Sequence, residues 1–434
     1  MSQKPLSILI SGAGIAGSSL ALALARQPNF NPKPIITLIE RSSKPRLTGQ
    51  AIDIRGPGVK VIRNLGLEEK IKARHTTETG IEFVDTNGAQ VARFNASGDS
   101  DKQSAMTSEY EILRGDLATI LLEELEGTKM DQGTNVNVVY GETIESLQEQ
   151  VDGGGVTVEF SNGKLEPSNF DVVVSADGMS SKTREMMFEE YQSQECVQPW
   201  GWHIAYFTVP RIASDEDLWK WHNAPPGLAV HMRPHRSKKE MGVYLSMVGA
   251  KKEPNPEMDR LLSEDVSAQK AMLRERFKDV GWQSARLLDA MDQADDFYMQ
   301  KVARIVTPTW TKGRFALVGD SAMATMGVGT TLAMMGAYIL SGELAKTTSS
   351  DSSMHVATAL SQYEKTLRQY YEKNSAAPSG FPQLANPQTQ WGIGVMHMTL
   401  RFAYYTGLER LLRGMGDSSE EVWKLPDYGW KGTA

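Results

Sequence analysis

An α/β fold is predicted, in which a Rossmann-like nucleotide-binding domain is interleaved with a β-sheet domain and followed by C-terminal helices. Three observations predict it. The glycine turn Gly12-Ala13-Gly14-Ile15-Ala16-Gly17 lies between an apolar run at 7–10 and an Ala/Leu-rich stretch at 18–26. Alternating runs rich in aromatic residues occur far downstream, at 200–209 and 230–247. A buried run at 315–318 then leads into the Gly/Ala-rich stretch 327–344.

Composition bounds the answer. The 434 residues exceed one small core, and the 40% apolar and 23% charged fractions belong to an ordinary globular chain. A net charge of −7 without a Lys/Arg tract argues against a nucleic-acid partner. The single cysteine, Cys196, can neither close an internal disulfide nor form a CxxC pair. The seven histidines show no zinc spacing, so no metal is expected. The first strand begins by Leu6, and the stretch 327–344 follows Asp320 and is small-residue-rich, which reads as a buried helix rather than a membrane span. A cytoplasmic protein is expected, as a monomer or homodimer. Asn95-Ala96-Ser97 fits the glycosylation pattern and is expected to be idle.

Taken in order, 7–10, the turn, 18–26 and 35–39 form a βαβ unit. Runs 81–85 and 90–94 flank Asn87-Gly88, the signature of a hairpin. Residues 110–125 read as a helix, with Leu117, Ile120, Leu121 and Leu125 at helical spacing. Runs 136–140, 156–160 and 172–175 read as a second meander. Strands are expected at 200–209 and within 230–247, a charged helix at 258–279, and mostly helix from 352 onward.

The glycine turn carries a physical mechanism. Gly12 permits the tight turn, Gly14 lets the backbone approach a pyrophosphate, and Gly17 lets helix and strand pack closely. Glu40 ends the next strand, where a carboxylate can accept from ribose hydroxyls. Arg114 is a fixed cation suited to a phosphate or to a surface ion pair. Asp177-Gly178 follows a buried strand and by itself reads as a turn. Asp320 also follows a buried strand, where a carboxylate needs a hydroxyl or backbone partner; a ribose would supply one, as would a helix N-terminus. Gly327-Val328-Gly329-Thr330-Thr331 opens a long helix whose free N–H groups can stabilise negative charge.

Together with Glu40-Arg41 and Gly49-Gln50-Ala51-Ile52-Asp53-Ile54, these segments resemble the group A flavoprotein monooxygenases. Within that family the likeness is greatest to the tetracycline-inactivating enzymes and their fungal secondary-metabolism relatives. Leu113-Arg114-Gly115-Asp116-Leu117 resembles the family's arginine-led helix start. Ala176-Asp177-Gly178 with Ser181 and Arg184 resembles its DG motif, and 313–322 resembles its GD motif. The resemblance implies bound FAD and transient NADPH, held by Gly12, Gly14, Ala16, Gly17, Glu40, Arg41, Asp53, Arg114, Asp177, Asp320, Gly327, Gly329 and Thr330. It implies oxygen transfer from a flavin C4a-hydroperoxide to a small aromatic or polycyclic substrate, with molecular oxygen as co-substrate. The sequence departs from the family after Asp320, where Ser321-Ala322-Met323-Ala324-Thr325-Met326 lacks the expected proline.

The resemblance places FAD-binding segments at 1–75, 107–186 and 302–350. It places a substrate sheet at 76–106 and 187–301, and a C-terminal helical segment closing the pocket at 351–434. Substrate-site candidates come from the strands. Alternation puts Trp202, Ile204 and Tyr206 on one face and His203, Ala205 and Phe207 on the other. His231, Arg233 and Tyr244 lie on neighbouring strands, and Trp391, Met396 and Met398 are candidates to cap the pocket. Two other functions stay open: an FAD-dependent oxidase, dehydrogenase or cyclising enzyme without oxygen insertion, and a non-catalytic FAD-fold binding protein.

Overall fold

The computed structural model describes residues 4–96, 110–131, 135–150, 154–188, 195–349, 352–375, 380–407 and 423–430. The expected boundary at 106/107, Ser97, Gly153 and the last four residues lie outside them. The fold class is as predicted, a mixed α/β chain organised by two large sheets.

The first sheet has six strands in the order Thr311–Lys312, Phe315–Leu317, Val172–Ser175, Ser7–Ser11, Ile35–Glu40, Asn135–Tyr140. All pairings are parallel except the antiparallel hairpin at its 311–317 edge. Its strands are near-continuous Val/Ile/Leu runs because both faces are covered. Helices Ile15–Arg26 and Gly329–Ala345 pack together in the same core, and Arg114–Asp131 packs on the first of them. Helix Gly329–Ala345 is buried along almost its whole length, which explains its Gly/Ala/Met composition. Among the described residues no helix is long and apolar enough to cross a membrane.

The second sheet has seven strands, ordered Tyr298–Ile305, Val197–Pro210, Glu240–Val248, Leu228–Pro234, Trp219–Ala224, Gly80–Val84, Gln90–Asn95. One face is covered by helices Pro256–Leu261, Val266–Phe277 and Ser284–Gln293 through Ala205, Phe207, Val230, Met232, Val243 and Leu245. The charged region 258–279, read as one helix, is two. Asn255 and Asp265 each accept a hydrogen bond from the backbone N–H three residues on, so each caps its own helix.

Three further readings are corrected. Glu111–Leu113 is a strand, and the helix begins only at Arg114; the three residues pair with Ala51–Asp53 in a two-stranded ribbon. Val172–Ser175 belongs to the parallel sheet rather than to a meander, since it pairs with Ser7–Ser11 and Phe315–Leu317. The actual meander is Ile144–Glu149, Val156–Phe160 and Ser168–Phe170. Trp219–Ala224 is a strand that was not read, and it joins the hairpin Gly80–Val84/Gln90–Asn95 to the rest of the sheet.

Candidate functional site

The glycine turn has the geometry its spacing predicts. Gly12 has φ +105°, and a Cβ there would sit 2.6 Å from the Ala176 carbonyl oxygen. A Cβ on Gly17 would sit 1.9 Å from the Gly12 oxygen, so neither position admits a side chain. Gly14 caps helix Ile15–Arg26 without a side-chain hydrogen bond, and no acidic residue occupies the first turn. Above Gly14 only the Arg114 Nη2 comes near, 3.9 Å from a notional Cβ. The Glu40 carboxylate at the end of its strand accepts from the Ala13 N–H at 3.0 Å and the Ser42 N–H at 2.9 Å. Arg41 beside it is exposed.

Asp320 is brought to the same place. Gly319, with φ +69°, packs so closely on Ala16 that a Cβ would lie 2.6 Å from that methyl group. Asp320 opens a four-residue helical turn, Asp320–Met323, with Gly319 as its cap, ahead of the long helix that starts at Gly329. Protein around the carboxyl pushes its pKa above the ordinary carboxylate range, against the pull of the Arg114 guanidinium, while the residue keeps accessible surface. Gly329 starts the long helix within reach, its notional Cβ 3.6 Å from Asp320 Oδ1, and that helix end has neither a side-chain cap nor an acidic residue. Gly327, with φ +83°, meets nothing within 4 Å, and Thr330 lies in the first helical turn.

Arg114 is held over this cleft by the ribbon. Its N–H donates to the Gln50 carbonyl at 2.9 Å, and its stem packs on Gly49. Burial lowers its pKa, with Arg46 adding to the effect and Tyr298, Asp320 and Glu40 opposing it. Its Nη1 is buried without a hydrogen-bond partner. A buried, unpartnered guanidinium nitrogen beside an open-topped glycine turn and two uncapped helix N-termini fits an anionic dinucleotide such as FAD. Asp177 and Asp53 are placed differently. Asp177 accepts from Ser175, Ser181 and Thr183, which fixes the turn at Gly178. Arg184 of the same segment is buried and donates to the Ser321 and Met179 carbonyls, each at 2.9 Å. Asp53 is held by Arg55 at 2.6 Å, at the far end of the ribbon strand.

The second sheet turns an aromatic row towards the ribbon. Tyr298, Tyr206, Tyr244, His231, Trp221 and Phe83 occupy one register on six successive strands, each the direct cross-strand partner of the next. Neighbouring ring centroids are 4.8, 4.8, 6.2, 4.4 and 5.3 Å apart. The Tyr244 hydroxyl accepts from the Ala51 N–H at 3.0 Å, and the Tyr298 hydroxyl accepts from the Gln50 N–H at 3.3 Å while donating to the Gln50 side chain. Burial raises the Tyr206 and Tyr244 phenols and pushes Tyr298 up to about 12, so all three stay protonated donors. Burial, reinforced by Arg233, lowers His231 to about 3, so its imidazole is neutral; its Nδ1 accepts from the Trp219 indole at 3.2 Å.

Tyr206, His231 and Tyr244 are thus brought together as one surface. Trp202 shares their face, but its indole N–H donates to Ser246 and its ring packs edge-on against Phe381, 5.7 Å away. His203 is corrected: it points to the opposite face, 3.6 Å from Asp259 on the helical layer, because strand alternation turns it away from Tyr206. Trp391 and Met398 are also corrected, being exposed rather than closing a pocket. The loop before them covers this end of the sheet instead, through Phe381 and through Gln388 bonding to the Val248 carbonyl.

Sequence reasoning missed Tyr298, Trp219, Trp221 and Phe83, and above all a buried ion cluster. Arg233 donates to both Glu78 oxygens at 2.8 and 2.9 Å and to Glu111 at 2.7 Å, and stacks 4.3 Å over the Trp219 ring. Thr76 completes Glu111 at 3.1 Å. Burial, with Glu78 and Asp53 adding repulsion, raises Glu111 to about 8 despite Arg233, so the cluster holds a proton. Trp219 and Trp221 were legible as a period-two pattern; the carboxylates, 33 residues apart, left no local signal.

A family model described as FAD binding domain matches residues 6–374. The chain is 30% identical to the FAD-dependent monooxygenase asL4 of Sarocladium schorii over 443 residues, covering 98% of each chain. It is 34% identical over 374 residues to a flavin-dependent monooxygenase of an unknown prokaryotic organism, covering 85% of this chain and 87% of that one. The crystal structure of the tetracycline destructase Tet(51) superposes with a TM-score of 0.72 at 25% identity, covering 98% of this chain and 100% of the other.

Proposed function

The chain belongs to the FAD binding domain family, and on that premise we propose that it is an NADPH-consuming monooxygenase that oxygenates a flat aromatic or polycyclic small molecule. The observation that carries this reading is the row of six rings at one register, facing the ribbon that positions Arg114. Such a face supplies an apolar, aromatic lining with phenols at the Tyr298 end, suited to a planar substrate. The alliance with asL4 and its kind, named as monooxygenases, supports the reaction class.

The dinucleotide's phosphates would lie on the N–H groups of the Gly12–Gly17 turn, with Ala16 holding Gly319 close behind it. Asp320 would accept from ribose hydroxyls, and Glu40 has lone pairs left for the same purpose beside its bonds to Ala13 and Ser42. Arg114 would donate its unpartnered Nη1 to the cofactor. The uncapped helix end at Gly329 and Thr330 would stabilise negative charge on the reduced ring. When bound, FAD supplies the redox chemistry, taking two electrons from NADPH and passing them to dioxygen. The tyrosine–ribbon bonds tie the sheet to the segment that carries Arg114, and would thereby help to exclude water and hold a substrate at a fixed distance from the cofactor. In this scheme 1–75, 107–186 and 302–350 form the cofactor half, and 76–106 with 187–301 the substrate half.

The test is the visible spectrum of the purified protein in air. Flavin bands that bleach with NADPH and return with oxygen are expected, with hydroxylated product forming in step with NADPH once a substrate is supplied. A protein that neither carries nor takes up FAD would end the proposal; flavin turnover with oxidised but never oxygenated product would move it to the oxidase class.

A further inference from the structure

Helix Gln390–Thr406 has two apolar faces, and among the described residues only one is packed. On the inner face, Ile393 is buried, Leu400 and Ala403 pack on the cluster of Ile81, Phe83 and Phe94, and Tyr404 meets Phe94 edge-on. On the outer face, Trp391 is 80% exposed, Val395 38%, Met398 65%, Phe402 61% and Tyr405 81%. Their spacing is four, three, four, three, which keeps all five within an arc of about 80° on an α-helix. Scattered apolar residues are ordinary on a surface, but an unbroken stripe along four turns marks a contact.

We propose that this stripe is the seam of a homodimer, with the same helix of a second copy lying antiparallel across a two-fold axis at Met398. Three features choose that occupant. The stripe is symmetric about its centre to within half a residue: an antiparallel copy sets Trp391 against the partner's Tyr405, Val395 close to the partner's Phe402, and Met398 against itself, as a closed two-fold interface requires. The exposed area suffices, because five side chains of roughly 150–250 Å² at these exposures offer on the order of 600 Å² per chain, near the ~800 Å² of a stable interface. Charge disfavours a lipid surface: the helix contains one fixed cation, Arg401, off the stripe, in a chain of net charge −7, so nothing draws it to anionic headgroups. Gly394, beside the seam, meets nothing within 4 Å and leaves room for the partner backbone. The proposal does not depend on the reaction assigned above.

Sedimentation velocity of the full-length, FAD-loaded protein is expected to give twice the chain mass at micromolar concentration. Met398→Glu sets two like charges against each other on the axis and should raise the dimer dissociation constant at least about thirtyfold, as losing a central contact does, while flavin content stays unchanged. Met398→Cys adds the second cysteine to a chain whose own Cys196 is buried, so mild oxidant should yield a covalent dimer; Lys60→Cys, exposed on the other half, should not. A monomer at all concentrations with no Met398→Cys crosslink would overturn the proposal. So would a dimer indifferent to Met398→Glu, which would place the contact elsewhere. A monomer that co-sediments with phosphatidylserine vesicles through Trp391 and Phe402 would assign the stripe to lipid.

Discussion

Replacing Glu111 with Gln should remove one proton from the pH dependence of stability. In the folded protein Glu111 titrates near 8 against 4.5 in the unfolded chain, because it is buried beside Glu78 and Asp53. Between those values the folded state holds a proton that the unfolded state has released, so stability falls as pH rises, by about 1.4 kcal/mol per pH unit. His231 works in the opposite sense. Its folded value near 3 lies below the ordinary 6.5, so its contribution is present above 6.5 and is lost as pH falls below it. The slopes of these two groups oppose each other between about 4.5 and 6.5, and from 6.5 to 8 only the carboxyl pair of Glu111 and Glu78, both raised by burial, still acts. Over that upper window the wild type should lose on the order of 2 kcal/mol that Glu111→Gln keeps, and below 6.5 the variant should lose stability on acidification more steeply than the wild type, His203, His235 and His397 contributing equally to both. Gln preserves an acceptor for Arg233 and Thr76, so the cluster stays paired. Calorimetric unfolding of both proteins at half-unit steps from pH 5 to 8, at fixed FAD, measures the difference. Parallel curves would show that Glu111 is ionised in the folded state and refute the assignment of the proton.

Three further outcomes follow from the site. Asp320→Ala should weaken FAD binding by about ten- to a hundredfold, the worth of charge-assisted hydrogen bonds to ribose, measured by flavin fluorescence titration; unchanged affinity would remove Asp320 from the cofactor site. Gly17→Ala forces a Cβ to 1.9 Å from the Gly12 oxygen and should abolish flavin retention on a desalting column, whereas Gly394→Ala, which meets nothing within 4 Å, should retain it. Tyr244→Phe leaves the Ala51 N–H without its acceptor and should cost about 1–3 kcal/mol in thermal stability, with a lower FAD affinity because the ribbon that carries Arg114 loses an anchor.

By itself the sequence determined the glycine turn, its βαβ unit and the Gly319-Asp320 turn, but not the Glu111–Leu113 strand or the place of Val172–Ser175 in the parallel sheet. Its signals are local: the six residues from Gly12 to Gly17 and the pair Gly319-Asp320 each fix a backbone conformation that few other residues permit, and continuous Val/Ile/Leu runs mark strands covered on both faces. The seven-stranded sheet was legible only as alternation. Period two separates the Tyr206 face from the His203 face but does not say which one looks towards the cofactor, so His203 was a candidate until the sheet packed its side under helices. The aromatic row exists only because six strands from distant parts of the chain share one register, and register is set by packing of the whole sheet rather than by any one strand. The same holds for Arg233 with Glu78 and Glu111. Each alone reads as a surface charge; their shared burial, and the proton it traps, is decided by a tertiary contact in which desolvation outweighs the attraction of one arginine.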